Sequence, residues 1–158
     1  MDKEREFERI VRENKDTIYT VCYMFSKDRD EVADLFQETL VNLWKGFERN
    51  DRYENLRGWI YRVTLNTCIS LDRKKRSRAE VTLSTGIDLF DSGNKNTKQA
   101  DMLHSRISRL QPFDRAIVLL WLEDISYDEI GSILGISTSN VAVRLYRIKE
   151  QLKQMSND

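Results

Sequence analysis

The sequence predicts an all-α protein: a three-helix domain, a linker, and a C-terminal helical domain that ends in a helix-turn-helix. Three observations predict it. Apolar residues recur at three- and four-residue steps along most of the 158 residues, 33% of the residues are charged while only one is proline, and helix-start and helix-stop residues punctuate the periodic stretches. The 40% hydrophobic content is enough for two modest cores.

A first helix is expected from Glu4 to Ser26, because Phe7, Ile10, Val11, Ile18, Val21, Cys22 and Phe25 form one stripe with charges between them. Asp28 followed by Glu31 has the spacing of a capping box, and Val32, Leu35, Phe36, Leu40, Leu43, Trp44 and Phe47 carry a second helix to Phe47. Polar residues 48–55 make a connecting loop. Leu56, Trp59, Ile60, Val63, Thr67 and Leu71 mark a third helix, which runs into the basic cluster Arg73, Lys74, Lys75, Arg76 and Arg78. Residues 1–76 are thus one domain. Residues 77–100 contain Gly86, Gly93 and many Ser, Thr and Asn without a sustained period, the composition of a linker. Val81, Leu83, Ile87, Leu89 and Phe90 give that linker apolar points suited to packing on a domain or a partner.

The second domain, residues 101–158, opens with Met102, Leu103, Ile107 and Leu110 and breaks at Pro112, a residue that fits the first turn of a helix. Ala116, Ile117, Leu120 and Trp121 continue that helix. Ser126 and Glu129 form a further capping box, and Ile130, Ile133 and Leu134 give a short helix that stops at Gly135. Ser137 caps the last helix, in which Val141, Leu145, Ile148 and Leu152 face inward and Arg144, Arg147, Lys149 and Lys153 take the remaining surface.

Several function classes are excluded on composition. The longest uncharged apolar stretch, Ala116 to Leu122, is far short of the roughly 20 residues a membrane span needs, so no insertion into a bilayer is expected. The charged start, Met1 to Glu6, lacks the pattern of a secretory signal, and a cytoplasmic protein is expected. Cys22 and Cys68 are far apart in the sequence and each lies in a helical apolar pattern, which predicts free buried thiols and no redox role. His104 is the only histidine, and neither a Gly-rich phosphate loop nor a metal-ligand spacing occurs. Asp28, Asp30 and Asp34 suggest a calcium loop only until its sixth and twelfth positions are read, which are Ala33 and Thr39. No cofactor, no metal and no intrinsic catalysis are expected.

The formal net charge of zero hides a segregation. Residues 1–48 hold 8 Lys and Arg against 12 Asp and Glu, a net of −4, whereas residues 49–80 hold 9 against 4, a net of +5. Counterion release at phosphates needs a local basic surface and not a basic chain, so the cluster around Arg73 qualifies as a backbone contact. Residues Tyr127 to Leu145 meet the requirements of a helix-turn-helix: Gly131 at the helix crossing, Gly135 in the turn, Ile136 over the corner and Val141 as anchor. The start of the second helix faces base edges in such a unit. Ser137, Thr138, Ser139, Asn140 and Val143 are therefore the candidates for base contact, with Arg144 and Arg147 for phosphate or a guanine edge.

The two halves together resemble the extracytoplasmic-function (group 4) sigma factors of the sigma-70 family, in which a region-2 domain and a region-4 domain are joined by a linker. Asp34-Leu35-Phe36-Gln37-Glu38-Thr39-Leu40 is similar to the family's D-L-x-Q-E-x-F/L signature, and Gly58 to Val63 with Asn66 resembles its W-L-Y-R-I-x-x-N segment. In the second half, Leu110, Pro112, Asp114, Arg115, Tyr127 to Ile130, Leu134 to Ser137, Val141 and Arg144 to Arg147 match the region-4 pattern. The resemblance implies a subunit that directs core RNA polymerase to promoter DNA. Asp34, Gln37 and Glu38 are then expected to dock on the clamp helices of the β′ subunit. Arg49, Arg52, Tyr53, Arg62, Asn66, Arg73, Lys74, Lys75 and Arg76 are expected to bind and open the −10 element, and residues 101–158 to bind the −35 element. An anti-sigma factor is the further partner it implies.

Trp44 and Trp59 share the phase of the apolar stripes and are expected in the core, while for Tyr61 the pattern leaves core packing and base stacking both open. Gly131 stands where the family usually carries Ala, a change small in size that is expected only to cost helix propensity. Ala142 and Val143 stand where many members carry basic or hydroxyl side chains, so the usual base contacts do not carry over there. A conventional helix-turn-helix regulator is the competing reading; it has no need for the Asp34–Glu38 face together with the Trp59–Asn66 segment.

Overall fold

The computed structural model describes residues 2–26, 28–49, 55–78 and 96–155, with the side chains of 75–78 and 96–100 left aside. Among the described residues it is all helical: α1 (Lys3–Met24), α2 (Arg29–Glu48), α3 (Leu56–Arg78), α4 (Asn96–Ser108), α5 (Pro112–Leu122), α6 (Tyr127–Leu134) and α7 (Thr138–Gln154). They belong to two compact units, the first carrying α1–α3 and the second α4–α7. Helix enters the stretch expected as linker from both sides, through Arg78 and from Asn96. The remainder of that stretch, with Val81 to Phe90, lies outside the described residues.

In the first unit each helix begins where a side chain satisfies a backbone N–H. Asp2 accepts from Glu4 N, and Asp28 accepts from Asp30 N at 3.0 Å. Stripe residues Ile18, Val21, Cys22, Val32, Leu43, Ile60, Leu65 and Cys68 are 0–1% exposed, and burial of a large apolar side chain stabilises by about 1.5–3 kcal/mol. Trp59 is buried, and Trp44 packs edge-on to Phe7 at 5.1 Å between ring centroids, so both indoles serve the core as their phase predicts. A Cβ placed on Gly46 would lie 3.1 Å from the Trp59 ring, which is why α2 presents a bare backbone there. The core's polar groups are satisfied locally: Thr39 donates to Leu35 O and Thr64 to Ile60 O, both at 2.7 Å, while Asn42 Nδ2 donates to Thr67 Oγ1 at 2.9 Å.

Cys22 and Cys68 are free and fully buried, and folding brings them side by side between α1 and α3. The hydrogen bond between their sulfurs holds the Cys22 thiol below its ordinary pKa, against the opposing effect of burial and with help from the Thr39 hydroxyl. Tyr61, which the sequence left open between core and surface, is 3% exposed and belongs to the interior, with the Arg57 guanidinium 5.8 Å from its ring centroid.

In the second unit the buried Arg115 donates from Nη2 to Ser108 O at 2.9 Å and to Leu110 O at 3.1 Å. It thereby caps carbonyls left open at the end of α4, where a cation also meets the negative end of the helix. α5 begins with Pro112 at its first position and ends in a Schellman turn: Ile125 N donates to Leu120 O, Asp124 N donates to Trp121 O, and Asp124 takes φ 64°. Ile125, buried at 4%, covers that turn.

Candidate nucleic-acid and docking surfaces

Ser126 Oγ accepts from Glu129 N and starts α6, which Gly135 ends at φ 77°, a conformation that L side chains resist. Ser137 Oγ then accepts from Asn140 N at 3.1 Å and starts α7. Val141, Leu145 and Ile148, each at most 1% exposed, seat α7 on α5 and α6. A Cβ on Gly131 would come within 2.6 Å of Ile136 O, a backbone atom of the turn. The expectation that Gly131 only costs helix propensity is thereby overturned, because any side chain there collides with the turn that sets the two-helix geometry.

That geometry leaves one side of α7 outside. Ser139, Asn140, Val143 and Arg147 are exposed, as is Ala142. Val143 is 50% exposed and Tyr146 68%. Tyr146 follows Val143 by three residues and Ser139 by seven, so it extends the same stripe. The sequence reading missed it as a surface residue although its spacing from Ser139 carried the signal.

The polar groups of this side are held from within the unit. Thr138 Oγ1 donates to Asp128 Oδ1 at 2.7 Å, which joins the start of α7 to the first turn of α6. Ser137 and Ser139 hydroxyls lie 3.4 Å apart. Arg144, expected as a phosphate or guanine ligand, is half-buried: Nη1 pairs with Asp114 Oδ1 at 3.4 Å, its guanidinium carbon lies 5.0 Å from the Phe113 ring centroid, and Nε donates to Asn140 Oδ1 at 3.1 Å. Lys149 is likewise committed, with Nζ 4.4 Å from the Trp121 ring centroid. Arg147 is the cation of this side that makes no hydrogen bond or ion pair among the described residues.

The outer side of α2 is built differently. Asp34, Gln37 and Glu38 are exposed, and none makes a hydrogen bond or ion pair among the described residues. Val41, 46% exposed, lies three residues past Glu38 and seven past Asp34, adding an apolar point that the sequence reading left out. Two carboxylates four apart destabilise a helix by about 0.2–0.5 kcal/mol, a cost that a cationic partner reverses. On α3, Asn66 and Arg73 are exposed and Arg62 is half-buried, on the side opposite Ile60 and Thr67, and Lys74 is exposed near the end of the helix. Arg49 is exposed next to the end of α2. Arg52 and Tyr53 lie outside the described residues, as do the side chains of Lys75 and Arg76.

Among the described residues no cluster of His, Cys, Asp or Glu is arranged to hold a metal ion, and no helix is long and apolar enough to cross a membrane.

Residues 10–78 match the family model described as Sigma-70 region 2, and residues 100–152 match the one described as Sigma-70, region 4. The ECF RNA polymerase sigma factor SigE of Mycolicibacterium smegmatis is 28% identical over 156 residues, which cover 93% of this chain and 60% of that protein. The chain thus spans about three fifths of that relative's length. ECF RNA polymerase sigma factor SigW of Bacillus subtilis is 26% identical over 167 residues, covering 96% of this chain and 89% of the relative. Among solved structures, the sigma factor RpoE in complex with the anti-sigma factor NepR from Bartonella quintana superposes with a TM-score of 0.75 at 18% identity, over 95% of this chain and 96% of that one. CnrH in complex with the cytosolic domain of CnrY does so with a TM-score of 0.67 at 22% identity, over 95% and 86%.

Proposed function

We propose, from the premise that this chain belongs to the sigma-70 family and is an RNA polymerase sigma factor of the extracytoplasmic-function type, that its exposed surfaces divide the work of promoter selection between them. The observation that carries the premise is the pair of family matches, region 2 and then region 4, in one chain of two helical units. Residues 1–76 serve as region 2, residues 77–100 as linker and residues 101–158 as region 4.

In this reading the α2 side with Asp34, Gln37 and Glu38 docks on the β′ clamp helices of core polymerase, where a cationic surface relieves the like-charge pair. Arg49, Arg52 and Tyr53 with the polar side of α3 hold the −10 element: Arg62 and Arg73 to Arg76 neutralise phosphates, Asn66 donates hydrogen bonds, and the loop before α3 receives an unstacked base. α7 lies in the major groove at the −35 element with Ser139, Asn140, Val143 and Arg147 toward the bases, while Ser137, Thr138 and Arg144 set the helix start. Sigma factors are regulatory initiation factors, so bond-making chemistry stays with the polymerase. The work takes place in the cytoplasm, where polymerase and promoter are. An anti-sigma factor restrains the protein, as the NepR partner of one structural neighbour suggests. No observation favours a conventional regulator that acts without polymerase docking.

Run-off transcription with purified core polymerase and a promoter library tests the reading. The intact chain is expected to direct initiation at a defined set of promoters, and an Asp34→Arg/Glu38→Arg variant with unchanged helical content is expected to lose it. Initiation that is equal with and without the chain, or indifferent to the reversal, refutes it.

A further inference from the structure

Asn140 is exposed at the start of α7, where a free carboxamide would read adenine with both ends, its oxygen accepting from N6 and its nitrogen donating to N7. Here one end is taken. Arg144 Nε lies 3.1 Å from Asn140 Oδ1, and a guanidinium has donors only, so the oxygen must be the atom that faces it. Arg144 is in turn kept from swinging away by Asp114 Oδ1 at 3.4 Å and by the Phe113 ring under its guanidinium. The carboxamide is therefore turned with Oδ1 toward Arg144, which leaves the two N–H donors of Nδ2 without a partner among the described residues.

We infer that Arg144 is a positioning residue that holds the oxygen of Asn140 and leaves its N–H donors for the DNA, so that the base pair it faces is selected as guanine over adenine. The inference rests on the reading of α7 as the −35 helix. Guanine offers two acceptors, N7 and O6, on its major-groove edge; adenine offers one acceptor, N7, beside a donor that must share Oδ1 with the Arg144 guanidinium, whose positive charge disfavours a second donor there. Of the two arginines that the sequence offered for phosphate or a guanine edge, Arg147 is the one whose side chain is exposed and uncommitted, and phosphate binding falls to it.

The test uses holoenzyme formed from core polymerase and the full chain, bound to a duplex library randomised across the −35 element. Asn140→Ala identifies the position, as the one whose base preference it flattens. At that position the unaltered protein is expected to enrich guanine over adenine by about tenfold, the discrimination of one good bidentate contact. Arg144→Met, which keeps the stem over Phe113 but frees Oδ1, is expected to shift the preference to adenine. Arg144→Lys, which keeps a donor, is expected to retain guanine. Asn140→Asp, an exposed change that does not depend on packing, removes both donors and is expected to turn the preference to cytosine, whose N4 donates. Guanine retained with Arg144→Met in a protein that melts as a folded unit, or adenine selected by the unaltered chain, overturns the inference, as does an Asn140→Asp profile like the parent's. Should Arg147→Ala and Val143→Ala also leave every −35 position unchanged, the assignment of α7 itself fails. If those two alter the profile while Asn140→Ala alters none, the assignment stands and the inference falls.

Discussion

The exposed sides of α2 and α7 are both polar stripes on amphipathic helices, yet they are wired in opposite ways. On α2, Asp34, Gln37 and Glu38 have no hydrogen-bond or ion-pair partner among the described residues, with Val41 beside them. On α7, Thr138 is held by Asp128, and Asn140 by Arg144, which is itself held by Asp114. A surface that meets another protein through net charge gains from side chains that adjust on contact, because Coulomb attraction varies slowly with distance. A surface that distinguishes bases needs donors and acceptors fixed in direction before contact, because a hydrogen bond weakens steeply with angle. The contrast teaches that a domain's internal bonds, and not only its exposed residues, separate a docking face from a reading face.

Gly131→Ala is the largest way to break this contrast on one side. The added Cβ meets Ile136 O at 2.6 Å, so the turn must shift and carry Thr138 off Asp128. A loss of about 1–3 kcal/mol in the unfolding free energy of the second unit is expected, against the sign that helix propensity alone gives. Chemical denaturation followed by circular dichroism checks it, and affinity for core polymerase is expected to stay within about twofold, within the small spread of distant, independent sites. A more stable Gly131→Ala protein contradicts the account of the turn.

A smaller change sharpens the electrostatic half. Arg147→Ala removes one uncommitted cation, so the slope of log affinity against log salt for promoter duplex is expected to fall in magnitude by about 1. Asp114→Asn, which weakens a partly exposed pair, is expected to change stability by less than about 1 kcal/mol while broadening the base preference next to Asn140. The smallest effect serves as the control: Asp124→Gly relieves a left-handed residue that belongs to neither face and is expected to stabilise by about 0.5–1 kcal/mol without altering either binding. A differential scan of melting temperature measures it.

The helices were legible because their starts and stops are local chemistry. Asp28, Ser126 and Ser137 cap where a short polar side chain precedes an apolar period, Pro112 opens α5, and Gly135 closes α6. One local detail differed: Asp28 bonds the N–H of Asp30, two residues on, although Glu31 at the box position suggested a bond one residue further. The exposed residues of both surfaces were also legible, since whatever lies off the apolar stripe faces out. Tyr146 and Val41 fit that rule too, although neither was named among the surface candidates.

What periodicity does not encode is the partner of a polar side chain across helices. Arg144 and Asp114 are 30 residues apart, Thr138 and Asp128 ten, and Cys22 and Cys68 sit on α1 and α3. Each pairing depends on helix crossing geometry, which also decides that Gly131 has no room for a methyl group. The sequence reading therefore named residues of α7 that are exposed, but could not see that the Arg144 guanidinium already has partners in its own domain.

The central claim is that the two faces serve two different ligands, and equilibrium binding of two variants to two ligands tests it most directly. Affinity for core polymerase and affinity of the assembled holoenzyme for a −35 duplex are measured for Asp34→Arg/Glu38→Arg and for Asn140→Ala/Arg147→Ala. The account predicts that the first pair loses core polymerase by about a hundredfold, the scale of like-charge juxtaposition at an interface, while the second pair keeps core binding and loses the duplex. Loss of the same ligand by both pairs, or full core binding after charge reversal on α2, contradicts it.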